Sequence, residues 1–178
     1  MKGKFISFEG IDGSGKSTQV KLLEKYLTQK GCDLLVLREP GGTRVGEKIR
    51  EILLDKENLI FPSTEMFLYA SSRAQLVEEK IIPALSKGQI VIADRFVDSS
   101  YVYQGYARAL GLEKVKIVNE IATKGFFPDI TLYIDITPEE AMRRRKNKKA
   151  DRLEEENYEF HKKVREGYLQ LVKEFPDR

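Results

Sequence analysis

The 178-residue sequence has a single cysteine, Cys32, and a single histidine, His161. One cysteine excludes an internal disulfide and points to a reducing compartment, the cytoplasm. Cys32 follows the helix stop Gly31 and reads as a small packing residue; His161 falls on a late helical stretch and reads as structural. No apolar run approaches the ~20 residues that span a membrane, and the opening MKGKFISF is too short in apolar residues for a signal peptide. Neither sign of charge dominates: a net charge of +3 does not by itself imply nucleic acid or a membrane surface as a partner. Internal repeats and low-complexity linkers are also absent. What is left, 41% hydrophobic and 33% charged residues, is an ordinary globular composition. The length predicts one domain, residues 1–178, with a core that needs no staples.

Hydrophobic periodicity predicts alternating strands and helices. KFISF (4–8), LLVL (34–37), QIVIAD (89–94) and ITLYID (130–135) read as strands. Val20, Leu23, Tyr26 and Leu27 recur at helical spacing after Lys16, as do Val45, Ile49, Ile52 and Leu53 further on. Ser63 is a candidate cap for a third helix reaching about Leu85, with Pro83 bending its last turn. Helix is further predicted from about Asp98, broken near Gly111 and resumed to Thr123, again from Pro138, and over Glu154 to Lys173. This alternation predicts an α/β three-layer sandwich, a central parallel sheet covered by helices, with ligands beyond the carboxyl ends of the strands.

Gly10 to Ser17, GIDGSGKS, has the spacing G-x-x-x-x-G-K-S between a strand and a helix, the context that identifies a phosphate-binding loop of the P-loop kinase type. Its glycines let backbone N–H groups turn inward on phosphate oxygens, Lys16 reaches the β and γ phosphates, and the Ser17 hydroxyl is a Mg²⁺ ligand. A nucleoside triphosphate is the implied ligand. Asp12 inside that loop is then a puzzle, a carboxylate where a polyanion comes close. The guanine-reading N-K-x-D of a GTPase is missing, since NKKAD (147–151) is one residue too long and lies in a basic run. A kinase for a small acceptor needs a second pocket, and three stretches could build it. DRF places Arg95 at a strand end, suited to gripping an acceptor phosphate, beside Asp94 as the acidic partner of Mg²⁺, or else forms a structural ion pair. YASSR places Tyr69 and Arg73 one helical turn apart, to stack on a base and bond its carbonyl, or else as a core tyrosine and a surface arginine. REPGGT with GEKIR puts Glu39 and Arg50 near the second strand end, unless Pro-Gly-Gly is simply a turn.

Together, FEGIDGSGKST, REPGGT, DRFVDSS with YQG, and DRLE resemble the signatures of the bacterial thymidylate kinase family, in the same order and along nearly the whole chain. Adenylate kinases share the loop but differ after the third strand, and deoxynucleoside kinases lack REPGGT. The resemblance implies ATP-dependent phosphorylation of dTMP to dTDP with Mg²⁺, ATP lying on Gly10, Ile11, Asp12, Gly13, Ser14, Gly15, Lys16, Ser17 and Thr18. It implies that Arg95 holds the dTMP phosphate with Arg50 and Arg38 assisting, that Tyr69 stacks on thymine, and that Arg73 bonds its O4. Ser100 and Gln104 would then complete the base edge, with Tyr103 beneath the deoxyribose and Asp12 facing the 3′-hydroxyl. Some family members carry an arginine directly after the loop Asp. Here that position is Gly13, so the resemblance implies that catalytic arginine comes from a lid at about 140–153, where seven of the ten residues Arg143 to Arg152 are Lys or Arg. Arg143, Arg144, Arg145 and Arg152 are its candidates. A homodimer without nucleic acid or membrane partners is also implied. Members usually continue past EFPDR into another strand and a final helix that touches adenine, so that piece is expected to be lacking. The rival reading is a nucleotide-regulated RNA-binding module using the basic run.

Overall fold

The computed structural model describes residues 3–145 and 150–178. Four parallel strands, β1 (Lys4–Glu9), β2 (Leu34–Arg38), β3 (Ile90–Asp94) and β4 (Ile130–Tyr133), form one sheet in the order β2-β3-β1-β4. Between them run α1 (Lys16–Gln29), α2 (Arg44–Leu54), α3 (Pro62–Leu76), α4 (Ile82–Ser86), α5 (Val97–Ser100) and α6 (Leu112–Thr123), and α7 (Pro138–Arg145) and α8 (Tyr158–Glu174) follow β4. The register sets Phe8 of β1 beside Asp94 of β3 and Leu132 of β4, so the carboxyl ends converge on one edge. Alternation along the strands then builds two cores. Phe8 and Ile92 pack with Val20 of α1 on one face, while Phe5, Val91 and Ala93 join the larger cluster with Leu76, Phe96, Val164 and Tyr168 on the other. The three layers are those predicted from the strand–helix alternation.

Boundaries differ where local chemistry overrides periodicity. Ser63 does not cap α3: Pro62 opens it, since its missing N–H would be unbonded in the first turn anyway. The last helix starts at Tyr158, not Glu154, because Asp151 Oδ1 accepts the N–H groups of Leu153 and Glu154 (both 2.9 Å) and holds a turn there. Asn157 then caps α8 through the Phe160 N–H (2.9 Å). The fourth strand ends at Tyr133 instead of residue 135. The bend assigned to Pro83 lies just ahead of it, in a π-helical turn over Val77–Ile81. A second π turn, Tyr101–Ala107, follows α5 and carries Tyr103 and Gln104 into the interior. Such turns shift side chains off the ordinary helical face and recur at functional sites.

One buried carboxylate ties three elements together. Glu9, at the end of β1, is fully buried. It accepts the Phe96 N–H (2.7 Å), the Ser99 hydroxyl (2.6 Å) and the Tyr168 hydroxyl of α8 (3.0 Å). Burial, and next the negative charge of Asp98, push its carboxyl from the ordinary 4.5 up to about 7. A folded-state value above the unfolded one means the stability this group contributes is fully present below 4.5 and is lost as pH rises through about 7. Glu9→Gln removes that titration, so the wild-type Tm should fall relative to the variant across this interval, at about 2–4 °C per kcal/mol for a chain of this size. Melting curves at both ends of the interval check this; parallel Tm profiles would mean that Glu9 is ionised throughout.

Candidate active site

The loop after β1 makes a cradle for an anion. Gly13 and Gly15 adopt φ values of 89° and 102°, open to glycine at little cost. Gly15 leads into α1 with no side-chain cap, so the N–H groups of Lys16 and Ser17, ahead of the first backbone bond at Thr18, stay available. Lys16 is 5% exposed; its Nζ donates to the Ile11 carbonyl (3.0 Å) and lies 3.8 Å from Asp12. Burial, then the neighbouring Arg95, lower its ammonium to about 8, and a phosphate would reverse that shift. Ser14 Oγ is buried and bonded to none of the described residues. Uncapped donors, a buried ammonium and an unpaired hydroxyl are what a polyphosphate would satisfy. Ser17 Oγ donates to the Asp94 carboxylate, so the two predicted metal ligands meet as an oxygen pair suited to a hard cation. Thr18 follows on the exposed side of α1, its N–H bonded to Gly15 (3.0 Å).

Arg95 closes the end of β3 in a left-handed conformation, φ 74°, with its N–H bonded to Phe8 across the sheet (3.0 Å). Its guanidinium donates to Asp12 Oδ1 (2.7 Å), Ser99 Oγ (3.0 Å) and the hydroxyls of Tyr168 (3.3 Å) and Tyr103 (3.4 Å), and lies over the Tyr103 ring. Burial acts to raise the Asp12 carboxyl, but Arg95 and then Lys16 outweigh it and hold the group well below the usual carboxylate range. Asp12 thus stands between the loop lysine and the strand-end arginine.

Two cavities meet at that point. One, beside the loop, is bounded by Lys16, Ser17 and Asp94; the other by Tyr69, Tyr103, Ser100 and Gln104. Asp12, Glu39, Arg50 and Arg95 line both. Arg50 donates to the Pro40 carbonyl (2.9 Å), and Arg38, paired with Glu47 at 3.1 Å, borders only the loop cavity.

Arg73 departs from the sequence expectation. It is 1% exposed and is not part of the cavity wall. Its guanidinium is spent inside the protein, on Glu39, on Ser100 Oγ (2.8 Å), on Asn119 and on the Phe96 carbonyl (3.1 Å). No donor is left over for a base carbonyl, so in this structure Arg73 braces the pocket from behind. Glu39 keeps one oxygen, Oε1, buried without a partner among the described residues.

The four candidate lid arginines also separate. Arg143 is paired with Glu140 in solvent (2.7 Å), and Arg144 shares that partner (2.7 Å) while reaching the Ser14 carbonyl (3.5 Å). Arg152 points the other way, to Leu53 O (2.9 Å) and Glu65 (2.8 Å). Only Arg145 of the four lines the loop cavity; its side chain is 13% exposed, its Nε is buried and without a partner among the described residues, and it pairs with Glu154 at 3.6 Å. Neither Arg143 nor Arg152 borders the loop cavity in this structure. Residues 146–149 of the expected lid lie outside the described residues. Sequence reasoning missed Ser99, Tyr168 and Glu65. Tyr168 shares a helical face with Phe160, Val164 and Leu171, and nothing in that spacing separates a core tyrosine from one whose hydroxyl meets Arg95.

The geometry accords with comparisons to known proteins. A family model described as Thymidylate kinase matches residues 8–178. A thymidylate kinase of Caldanaerobacter subterraneus subsp. tengcongensis is 84% identical over 178 residues, covering 100% of this chain and 86% of its own. One from Thermoanaerobacter sp. (strain X514) is 74% identical, again over 100% of this chain and 88% of its own. The crystal structure of thymidylate kinase from Ehrlichia chaffeensis superposes with a TM-score of 0.84 at 32% identity, covering 100% of this chain and 91% of that one. With a phosphate loop, a strand-end Asp-Arg and an aromatic second cavity in one constellation, the chain belongs to the thymidylate kinase family.

Proposed function

We infer that the protein transfers the γ-phosphoryl group of ATP to the 5′-phosphate of dTMP, giving dTDP and ADP, in the cytoplasm. The observation that carries this reading is the pair of cavities sharing Asp12, Glu39, Arg50 and Arg95, one on a phosphate loop and one walled by tyrosines and amide or hydroxyl groups. An acceptor phosphate oxygen attacks Pγ as the bond from Pγ to the β–γ bridging oxygen breaks, and ADP leaves with that electron pair. The acceptor oxygen is already ionised at neutral pH, so no strong general base is needed. The protein's task is to bring two polyanions in line and neutralise them.

Lys16 and the first-turn N–H groups of α1 hold the donor phosphates. Ser17 and Asp94 would hold Mg²⁺, which supplies charge neutralisation and orientation for the β and γ phosphates. Arg95 and Arg50 grip the acceptor phosphate, Asp12 faces the sugar 3′-hydroxyl, and Tyr103 lies under the deoxyribose where a 2′-hydroxyl would clash. Tyr69 stacks on the base, with Ser100 and Gln104 at its polar edge. The segment at about 140–153 acts as a lid, Arg145 meeting charge on the transferred group and Arg152 bracing the stem.

Two copies are proposed to associate through α3 and α6, which lie side by side and expose Phe67, Ile117 and Ile121. Large apolar side chains left in water on adjacent helices favour a self-complementary interface. Sedimentation should give a dimer, and Ile121→Glu a monomer; a monomeric unaltered protein would overturn this.

The function is tested by incubating ATP with each of the four deoxynucleoside monophosphates. dTMP should be the strongly preferred acceptor, and Lys16→Ala should abolish transfer. Transfer to none of the four, or near-normal kcat without Lys16, would overturn the reading. Arg145→Ala should lower kcat by on the order of 10³-fold or more with little change in dTMP affinity, while Arg143→Ala stays within a few-fold of wild type. Small, similar losses at all four arginines that fade with added salt would instead indicate a solvated basic face.

A further inference from the structure

Glu65 lies in the first turn of α3, 0% exposed, and outside the cavity wall. Four N–H donors converge on its two oxygens. Gln104 Nε2 (2.9 Å) and Arg108 Nε (3.3 Å) meet Oε1, and Arg108 NH2 (3.2 Å) and Arg152 NH2 (2.8 Å) meet Oε2. A carboxylate held by two guanidinium groups accepts hydrogen bonds and donates none. The amide of Gln104, itself 1% exposed, therefore has one orientation available: nitrogen toward Glu65, carbonyl oxygen toward the cavity it lines. Chemistry, not the assignment of two similar atoms, fixes that choice.

The hydroxyl beside it is fixed in the same way. Ser100 Oγ accepts from Arg73 NH1 (2.8 Å), and Arg73 is held by Glu39. The Ser100 proton has no acceptor among the described residues, so it is free to point into the cavity. The polar edge thus offers one donor and one acceptor. A pyrimidine with a carbonyl at C4 and a proton on N3 matches that pair. Cytosine, with an amino group at C4 and a bare N3, meets donor with donor and acceptor with acceptor.

We propose that Glu65 is a specificity-positioning residue: by turning the Gln104 amide so that its oxygen faces the N3–H of thymine, it makes the acceptor site reject cytosine. The proposal rests on the reading of the protein as a dTMP kinase and adds a residue that touches neither nucleotide. It also gives Arg152 a purpose. Arg152 and Arg108 neutralise the carboxylate, so the lid stem and the base edge are held by one buried anion.

Glu65→Gln replaces an obligate acceptor with a group that both donates and accepts, which frees Gln104 to turn over. The ratio of kcat/KM for dTMP to that for dCMP should fall by about tenfold or more, well within the roughly 10⁴–10⁵-fold by which a hydrogen-bonding site can reject a mismatched group. Loss of the Arg152 contact affects both nucleotides alike and cancels in the ratio. The double variant Glu65→Gln with Gln104→Glu puts an obligate acceptor back at the cavity and should recover the ratio, which a merely structural role for Glu65 does not predict. An unchanged ratio in Glu65→Gln, with transfer to dTMP intact, would overturn this proposal alone. No transfer to dTMP by the unaltered protein would sink the underlying reading as well. If Glu65→Gln does not fold, the wild-type protein decides through its ¹⁵N-labelled glutamine side-chain amides, the Gln104 pair being identified by its loss in Gln104→Met. Those protons should remain protected when dTMP binds; their release from Glu65 toward the base would overturn the assignment.

Discussion

The contact between Asp12 and Arg95, 2.7 Å long, joins the phosphate loop to the end of β3, and the active site is arranged around it. Without it Arg95 would be a cation at a cavity floor with only hydroxyl partners. Without Arg95, Asp12 would be an anion beside incoming phosphates. With 29% of the Asp12 side chain in solvent, removing one member costs less than the about 3–5 kcal/mol of a fully buried pair. Arg95 accepts a left-handed backbone to reach this position, and Ser99, Tyr103 and Tyr168 accept from its two terminal nitrogens. The acid in the loop belongs to the boundary between two sites. It cancels enough of Arg95 and Lys16 to let them approach one another, while leaving each with donors to spare for a phosphate.

That logic extends to the three buried glutamates. Glu9, Glu39 and Glu65 lie in different elements, and each organises the donors of other side chains. Glu9 aligns two hydroxyls on Arg95, Glu39 holds Arg73, and Glu65 holds Gln104 with two arginines. Buried charge of this kind is weak evidence for stability, since a well-packed apolar core would serve as well. Its return here is directional: each carboxylate dictates which way a neighbour's hydrogens point.

Much of the site was legible because its chemistry sits next to local punctuation. Asp94 and Arg95 lie at the carboxyl end of β3, Lys16 and Ser17 at the end of the loop that follows β1, and a parallel sheet brings such ends to one edge. The order β2-β3-β1-β4 makes β1 and β3 neighbours, which puts Ser17 and Asp94 together. The direction in which Arg73 points was not legible, because helical spacing says nothing of the buried Glu39 contact 34 positions earlier in the chain. Choosing among Arg143, Arg144, Arg145 and Arg152 required knowing where α7 points and that Asp151 makes a turn. Those depend on tertiary packing, and the run of basic residues has no period to reveal it. Tyr168 and Glu65 were invisible for the same reason: their partners, Arg95 and Gln104, are distant in sequence.

The close approach at Gly13 has a consequence for how such a protein can change. A Cβ there would stand 2.9 Å from the Ala141 carbonyl and 3.2 Å from Cγ of Arg145, at a φ of 89°. The backbone of α7 and the arginine it delivers occupy the volume that a loop side chain would need. A side chain at position 13 therefore requires the loop backbone and α7 to shift, so the absence of a loop Cβ is what lets α7 seat this close to the phosphate loop.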